Sequence, residues 1–175
     1  MKNVISICLL FLLVTVKSWA EPFLNLPLKN SARISCDFCC YKFRNGACHS
    51  GIDYGVRNNT EVIAAAAGIV DKVIEHHPSS PDRQAGYGNY VRIRHSNGYW
   101  TIYAHLAENS IYVSEGDNIV AGQVLGLSDN SGYSTGPHLH FEVRDPNGKK
   151  VNPYGDNPDY PNCGPNALWA TCPPF

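Results

Sequence analysis

Short apolar runs, separated by turn-forming residues, follow one another from Ile52 to Arg144. Alternation of apolar and polar side chains over roughly four to eight residues indicates a strand with one buried face. The short runs give seven candidate strands: Glu61–Ala66, Gly68–His76, Tyr90–His95, Trp100–Ala104, Asn118–Ile119, Val124–Ser128 and His138–Arg144. Asn97-Gly98, between the third and fourth segments, predicts a two-residue β-hairpin turn. The pattern therefore predicts an all-β domain.

The last of these segments has the largest concentration of potential catalytic and metal-binding side chains. Its polar and apolar residues alternate, with His138, His140 and Glu142 at one parity and Leu139, Phe141 and Val143 at the other. Side chains of one parity share a face, so the two imidazoles point the same way, roughly 6–7 Å apart along the strand. One imidazole can then bind a metal ion while the other contacts whatever the metal binds. The alternative is a half-exposed strand with its polar residues in water.

A weak internal similarity relates residues 62–70 to residues 113–126. Both stretches resemble halves of a hammerhead-like β-barrel. We therefore expect a single-domain antiparallel β barrel or sandwich of the duplicated hybrid motif type. Lipoyl and biotinyl carriers have a similar texture, and Asp71-Lys72-Val73 resembles a carrier lysine site, but that alternative leaves the histidines unexplained.

The two ends of the chain differ in composition from its middle. Residues 1–20 have a lysine, an apolar run and a small-x-small site, which together predict a secretory signal peptide. The apolar run is shorter than the roughly 20 residues that span a bilayer, so we expect no membrane span in the mature chain. Residues 21–48 form a Cys-rich N-terminal extension, residues 49–153 the core, and residues 154–175 a Pro/Cys-rich tail.

The net charge and the cysteine content further narrow the functional class of the protein. Without Lys2 and Lys17 the chain has 12 basic and 15 acidic residues, a formal charge of −3, which gives no electrostatic reason to expect nucleic-acid binding. Six cysteines remain after the signal peptide: Cys36, Cys39, Cys40, Cys48, Cys163 and Cys172. In an exported protein they predict up to three disulfides, among about 15 pairings. A structural zinc site built from the first four is the alternative.

Three motifs in order point to one family. His49-x3-Asp53, Tyr103-Ala-His105-Leu and Ser134-Thr-Gly-Pro-His138-Leu-His140 resemble the motifs of the lysostaphin/LytM-type zinc metallopeptidases, which are peptidoglycan endopeptidases. The resemblance implies that His49, Asp53 and His140 bind one Zn²⁺ ion and that His105 and His138 are the catalytic histidines. The motif lacks the glutamate base of His-Glu-x-x-His, so we expect His138, two residues before a ligand on the same strand face, to act as the base and His105 to donate to the oxyanion.

The resemblance implies a secreted or periplasmic zinc endopeptidase, acting as a monomer, that hydrolyses peptide cross-links or stem peptides of peptidoglycan with a metal-bound water as nucleophile. Two alternatives remain. One is a non-catalytic family member that binds peptidoglycan or activates a hydrolase, and the other is a secreted signalling protein that retains zinc without catalysis. Glu142 is either a partner of a zinc ligand or a solvated surface residue.

Overall fold

A computed structural model describes residues 21–41, 46–78, 86–155, 163–164 and 166–173. The predicted signal peptide, residues 1–20, lies outside these residues. All the regular elements within the described part of the chain are β-strands, as the sequence predicts. Among the same residues, no helix has the length and apolar character needed to cross a membrane.

Ten strands are described. They are β1 Arg33–Cys36, β2 Ile52–Gly55, β3 Glu61–Ile63, β4 Gly68–Ile74, β5 Asn89–Arg94, β6 Trp100–Leu106, β7 Asn118–Ile119, β8 Val124–Leu127, β9 Leu139–Arg144 and β10 Lys150–Val151. Seven of them form an antiparallel sheet in the order β1-β2-β9-β6-β5-β4-β7, and β10 extends it by pairing with β9. Strands β3 and β8 form a separate antiparallel pair. The site described below is built on β2, β6 and β9, at the centre of the larger sheet.

The predicted strands appear close to their expected places, but the alternation pattern missed β1, β2 and β10. Each of the three has only two to four residues, too few to show a period of two. Strand β3 ends at Ile63, three residues earlier than expected, because Ala64–Ala66 leave the ladder as a buried bend.

The predicted hairpin is confirmed, with a longer loop than expected. The His95 amide donates to the Tyr99 carbonyl, which leaves three residues between this bonded pair, and the Gly98 amide donates to the His95 carbonyl. Gly98 has φ +83°. A type I turn followed by a left-handed glycine is the usual three-residue hairpin loop. The Asn97-Gly98 pair thus identifies the turn correctly, although the loop is one residue longer than this pair.

The two halves of the internal similarity interlock. Strand β3, from the first half, pairs with β8 from the second, and β4 pairs with β7. Each half therefore completes its hydrogen bonding with a strand of the other. The core enclosed between them includes Val62, Val70, Ile119 and Leu125, all buried.

The six cysteines of the two extensions are paired as Cys36–Cys40, Cys39–Cys48 and Cys163–Cys172. The expectation of disulfide-stapled extensions is therefore confirmed, and the alternative of a zinc site on the first four cysteines is wrong. The extensions also meet each other. Leu24 forms a parallel bridge with Trp169, whose ring stacks on Phe141 of β9 at 5.7 Å between ring centroids.

Candidate metal centre and neighbouring histidines

Three predicted residues converge at the centre of the large sheet. His49 Nε2 lies 3.1 Å from Asp53 Oδ1 and 3.1 Å from His140 Nδ1, and His140 Nδ1 lies 2.8 Å from the same carboxylate oxygen. Both imidazoles are buried, with 3% and 5% of their surface exposed. Residues separated by up to 91 positions in sequence thus place three ligand-type atoms within one small space.

The strand register produces this convergence. Asp53 on β2 pairs directly with His140 on β9, so their side chains share a face of the sheet. The chain bends at Gly51 and returns His49 to the same face. A Cβ at Gly51 would lie 2.8 Å from Cε1 of His140 and nearer still to the Phe141 carbonyl oxygen. Only glycine allows the bend to approach β9 so closely.

The far side of the His49 ring faces the Cys-rich extension. His49 Nδ1 lies 2.8 Å from the main-chain carbonyl oxygen of Asp37. A carbonyl can only accept, so Nδ1 carries the hydrogen and, in the neutral ring, Nε2 keeps its lone pair. That lone pair points toward Asp53 and His140. Sequence reasoning did not identify this contact, because a main-chain oxygen leaves no signal in the sequence.

The far side of the His140 ring faces Glu142, whose carboxylate Oε2 is 3.8 Å from Nε2. Glu142 is fully buried, so the alternative of a solvated surface glutamate is wrong. Tyr87 donates its hydroxyl to Glu142 at 2.6 Å, and Arg144 donates Nε at 2.6 Å. Burial opposes ionisation of Glu142, but the nearby His140 ring and hydrogen bonds from Ser50, Tyr87 and Arg144 lower its pKa to about 2.

The shifted pKa values of His140 and Asp53 show that the cluster attracts a cation. Burial disfavours the charged form of His140, yet Asp53 and Glu142 raise its pKa to about 9. Burial also disfavours charge on Asp53, yet hydrogen bonds from His140 and His49 lower its pKa below the usual range. A proton therefore holds the cluster together when no metal is bound. Two imidazoles and one carboxylate are also the donor set of an open divalent-metal site, so these residues fit a metal ion.

His138 lies at the edge of this cluster, just before β9. Its Nδ1 is 2.8 Å from the Gly136 carbonyl oxygen and 3.2 Å from the Ser134 hydroxyl. The carbonyl again requires the hydrogen on Nδ1, which leaves Nε2 of the neutral ring as an acceptor. Nε2 is 3.6 Å from Asp53 Oδ1, and the side chain is 14% exposed. His138 thus presents an unprotonated nitrogen toward the candidate metal centre.

His105 lies at the end of β6 and completes the set. Its ring centroid is 4.6 Å from that of His138 and 5.8 Å from that of His140. The residue has φ +61°, a left-handed conformation that non-glycine residues seldom adopt outside functional sites. Tyr87 holds it there by accepting its main-chain amide hydrogen.

The ring of His105 is neutral at ordinary pH. Burial, followed by the charges of His138 and His140, lowers its pKa to about 3. Nδ1 lies 2.6 Å from the Ser131 carbonyl oxygen and so carries the single hydrogen. Nε2 is then an acceptor, and donation from it requires the ring to gain a second proton.

All five predicted site residues therefore lie together. The groups that orient them were missed: the main-chain carbonyls of Asp37, Tyr87, Ser131 and Gly136. His95 is buried outside the cluster and satisfied by the Ala67 carbonyl and the Thr101 hydroxyl. Its expected place beside the hairpin is correct, and both of its ring nitrogens are engaged away from the candidate metal centre.

Known proteins share both the sequence and the fold of this region. DD-carboxypeptidase/endopeptidase Mpg of Neisseria meningitidis is 46% identical over 105 residues, which cover 60% of this chain and 22% of Mpg. Peptidoglycan DD-endopeptidase ShyA of Vibrio cholerae is 36% identical over 130 residues, covering 72% of this chain and 28% of ShyA. The chain thus spans only a minor part of each relative.

A crystal structure of a zinc-containing peptidase from Vibrio cholerae has a similar fold. Its TM-score is 0.62 at 31% identity, over 75% of this chain and 39% of that one. Residues 47–153 match the profile of peptidase family M23, more than half of the chain and all five residues of the candidate site. The chain belongs to peptidase family M23.

Proposed function

We propose that this protein is a secreted or periplasmic zinc endopeptidase that hydrolyses peptide cross-links or stem peptides of bacterial peptidoglycan. One observation carries the proposal: the ligand-type atoms of His49, Asp53 and His140 converge beside two further histidines whose Nδ1 atoms contact main-chain carbonyls. The names of Mpg and ShyA support peptidoglycan peptides as the substrate class.

His49, Asp53 and His140 would hold one Zn²⁺ ion, which supplies a Lewis acid and an activated water when bound. His138 is placed to accept a proton at Nε2, because its Nδ1 hydrogen is committed to the Gly136 carbonyl. Once charged, the same ring can return that proton to the departing amine. His138 therefore has the geometry of the general base predicted from the sequence.

His105 requires a more specific assignment. The sequence predicts that it donates to the oxyanion, but its low pKa and its Nδ1 contact leave Nε2 as an acceptor in the resting protein. We propose that Nε2 of His105 accepts a hydrogen bond in the cleft of the resting protein. Its contact with the His138 ring places both histidines on one side of the metal ligands.

We further propose that the domain limits follow the sequence prediction: signal peptide 1–20, extension 21–48, catalytic core 49–153 and tail 154–175. The three disulfides support an oxidising compartment outside the cytoplasm. We expect the protein to be a monomer.

Hydrolysis of purified peptidoglycan tests the function. We expect wild-type protein to release soluble peptides, and a chelator to abolish the release until zinc is restored. His140→Ala should lose bound zinc and activity together. His138→Ala should keep zinc and lose activity by roughly 10²- to 10⁴-fold, because it removes general acid–base catalysis. Peptide release and zinc content are both measured.

His76→Ala is the matched control, because His76 is exposed and contacts His77 rather than the cluster. It should keep both zinc and activity. Full hydrolysis by His138→Ala and His140→Ala would exclude this site. A wild-type protein that holds zinc and binds peptidoglycan without cleaving it would instead be a non-catalytic binding protein.

A further inference from the structure

A disulfide-bonded segment outside the M23 match forms one wall of the candidate metal centre. We name residues 36–41 the collar. Cys36 is bonded to Cys40, and Cys39 is bonded to Cys48, the residue before His49. The collar ends before residue 47, where the family match begins. Its position is therefore a property of this chain rather than of the matched domain.

The collar contacts His49 on several sides. The Cys39 amide donates to the His49 carbonyl at 2.9 Å, and the His49 amide donates to the Tyr41 carbonyl at 3.0 Å. The Tyr41 ring stacks on the imidazole, with 5.2 Å between centroids and 20° between planes. These contacts fix the main chain of His49 and the plane of its ring.

One further contact fixes which ring nitrogen of His49 carries the hydrogen. The Asp37 carbonyl accepts the Nδ1 hydrogen of His49 at 2.8 Å, and this leaves the Nε2 lone pair for the metal. Asp37 lies directly after Cys36 and two residues before Cys39, so a disulfide anchors the main chain on each side of its carbonyl. Opening the Cys39–Cys48 bridge would free the collar from the residue adjoining the ligand.

We propose that the collar is a positioning element for the metal centre: its disulfides hold the Asp37 carbonyl on Nδ1 of His49, and zinc affinity depends on them. The proposal rests on His49 being a zinc ligand, as proposed above. Groups that orient a metal-binding histidine typically contribute about 10- to 100-fold in metal affinity. We expect a loss of that size when the collar is released.

The chain contains a matched control for the disulfide itself. Cys39–Cys48 and Cys163–Cys172 both join residues nine positions apart. Loops of equal length restrict the unfolded chain equally in the entropic account of disulfide stabilisation. Replacing both cysteines of either bridge by serine should therefore lower stability similarly, whereas only the collar bridge adjoins a proposed zinc ligand.

Zinc affinity is measured for each double variant by competition with a chromogenic chelator, and folding is monitored by circular dichroism. We expect Cys39→Ser/Cys48→Ser to bind zinc about 10- to 100-fold more weakly than wild type. Cys163→Ser/Cys172→Ser should match wild type. Asp37→Ala should also match wild type, because the contact uses the main-chain carbonyl. Equal zinc affinity in both double variants would overturn the proposal.

A second measurement needs no variant. A long-range ¹H–¹⁵N spectrum of the metal-free protein reports which nitrogen of neutral His49 carries the hydrogen. We expect the Nδ1–H form, and the Nε2–H form would overturn the proposal even if the collar variant does not fold. Failure of wild-type protein to bind zinc would refute the proposed function instead, while the tautomer would still report whether the collar holds the ring.

Discussion

At the residue scale, three histidines around the candidate metal centre are oriented in the same way. His49, His105 and His138 each place Nδ1 against a main-chain carbonyl. A carbonyl oxygen can only accept a hydrogen bond, so in the neutral form of each ring the hydrogen lies on Nδ1 and Nε2 is the acceptor. His140 is the exception, because its second nitrogen faces the carboxylate of Glu142. In the metal-free protein the charged groups of the site therefore include Asp53, Glu142 and the protonated ring of His140.

Glu142→Gln tests this arrangement through stability. The pKa of Glu142 is lowered to about 2 in the folded protein, so its charge stabilises the fold above the unfolded pKa near 4.5, and the contribution disappears as pH falls toward 2. We expect the variant to be less stable by about 2 kcal/mol at pH 7, because hydrogen bonds to a charged group are lost. The difference should shrink at pH 3.

Urea unfolding of the metal-free proteins at both pH values measures the effect. Glu115→Gln is the control, since Glu115 pairs with Lys72 at the surface, where solvent screens the interaction. A Glu142→Gln difference that stays constant between pH 7 and pH 3 would contradict the charge-based explanation.

The residue types of the site could be predicted from the sequence, but their environment could not. Alternation correctly assigned His140 and Glu142 to one face of β9. It did not reveal that this face is covered, because the covering residues, such as Tyr87, come from loops distant in sequence. The carbonyls that orient the rings depend on loop conformation, which has no residue signature.

At the element scale, two loops lock together beside the histidines. Gly88 and Gly132 have φ +61° and +77°, and their backbones are in close contact. The Ser131 hydroxyl accepts from the Asn89 amide and donates to the Leu106 carbonyl. The loop before β5 thus fixes the loop that carries Ser131, whose carbonyl orients His105.

Gly88→Ala should disrupt the contact between these two loops. Its Cβ would lie 2.5–2.6 Å from main-chain atoms of Ser131 and Gly132, so the loops must separate. Gly86→Ala is the matched control, because Gly86 has φ +55° but a methyl group added there would meet no atom within 4 Å. Both variants carry a left-handed alanine, which costs about 1–2 kcal/mol.

Peptidoglycan hydrolysis and thermal unfolding distinguish the two variants. We expect similar φ-related destabilisation in both, together with an additional loss of stability and a fall in hydrolysis only for Gly88→Ala. Equal hydrolysis by the two variants would show that the position of Ser131 does not control His105.

The strands themselves were predictable where they are long enough to alternate. Strands β5, β6 and β9 each have six or seven residues and were expected within two residues of their observed limits. Strand β2 has four residues and was missed, although it carries Asp53. It forms because β9 offers a partner edge, and such pairing partners are not visible in a local pattern.

At the scale of the whole molecule, the two extensions cover one side of the core. Trp169 is 3% exposed and lies between Phe141 and Tyr154, with centroid distances of 5.7 and 5.5 Å. The sequence predicts an irregular tail fixed by a disulfide. It does not predict that the tail contributes a core side chain behind the strand that carries His140.

Trp169→Ala should destabilise the protein by about 3–5 kcal/mol, the usual cost of deleting a buried aromatic side chain. Tyr112→Ala is the control, because Tyr112 is 59% exposed and such surface substitutions stay within about 0.5 kcal/mol. Urea unfolding measures both. A similar midpoint for Trp169→Ala and wild type would show that the tail does not belong to the core.

The bridge between Leu24 and Trp169 makes the two extensions a single cooperative unit. Each extension covers the other, since the Phe23 and Leu24 amides share the Leu168 carbonyl and the Ala170 amide returns to the Leu24 carbonyl. Releasing one end therefore exposes the surface on which the other rests. We therefore expect a protease cut in the tail to make the chain around Leu24 sensitive to digestion as well, while strand β1 and the collar stay attached to the core.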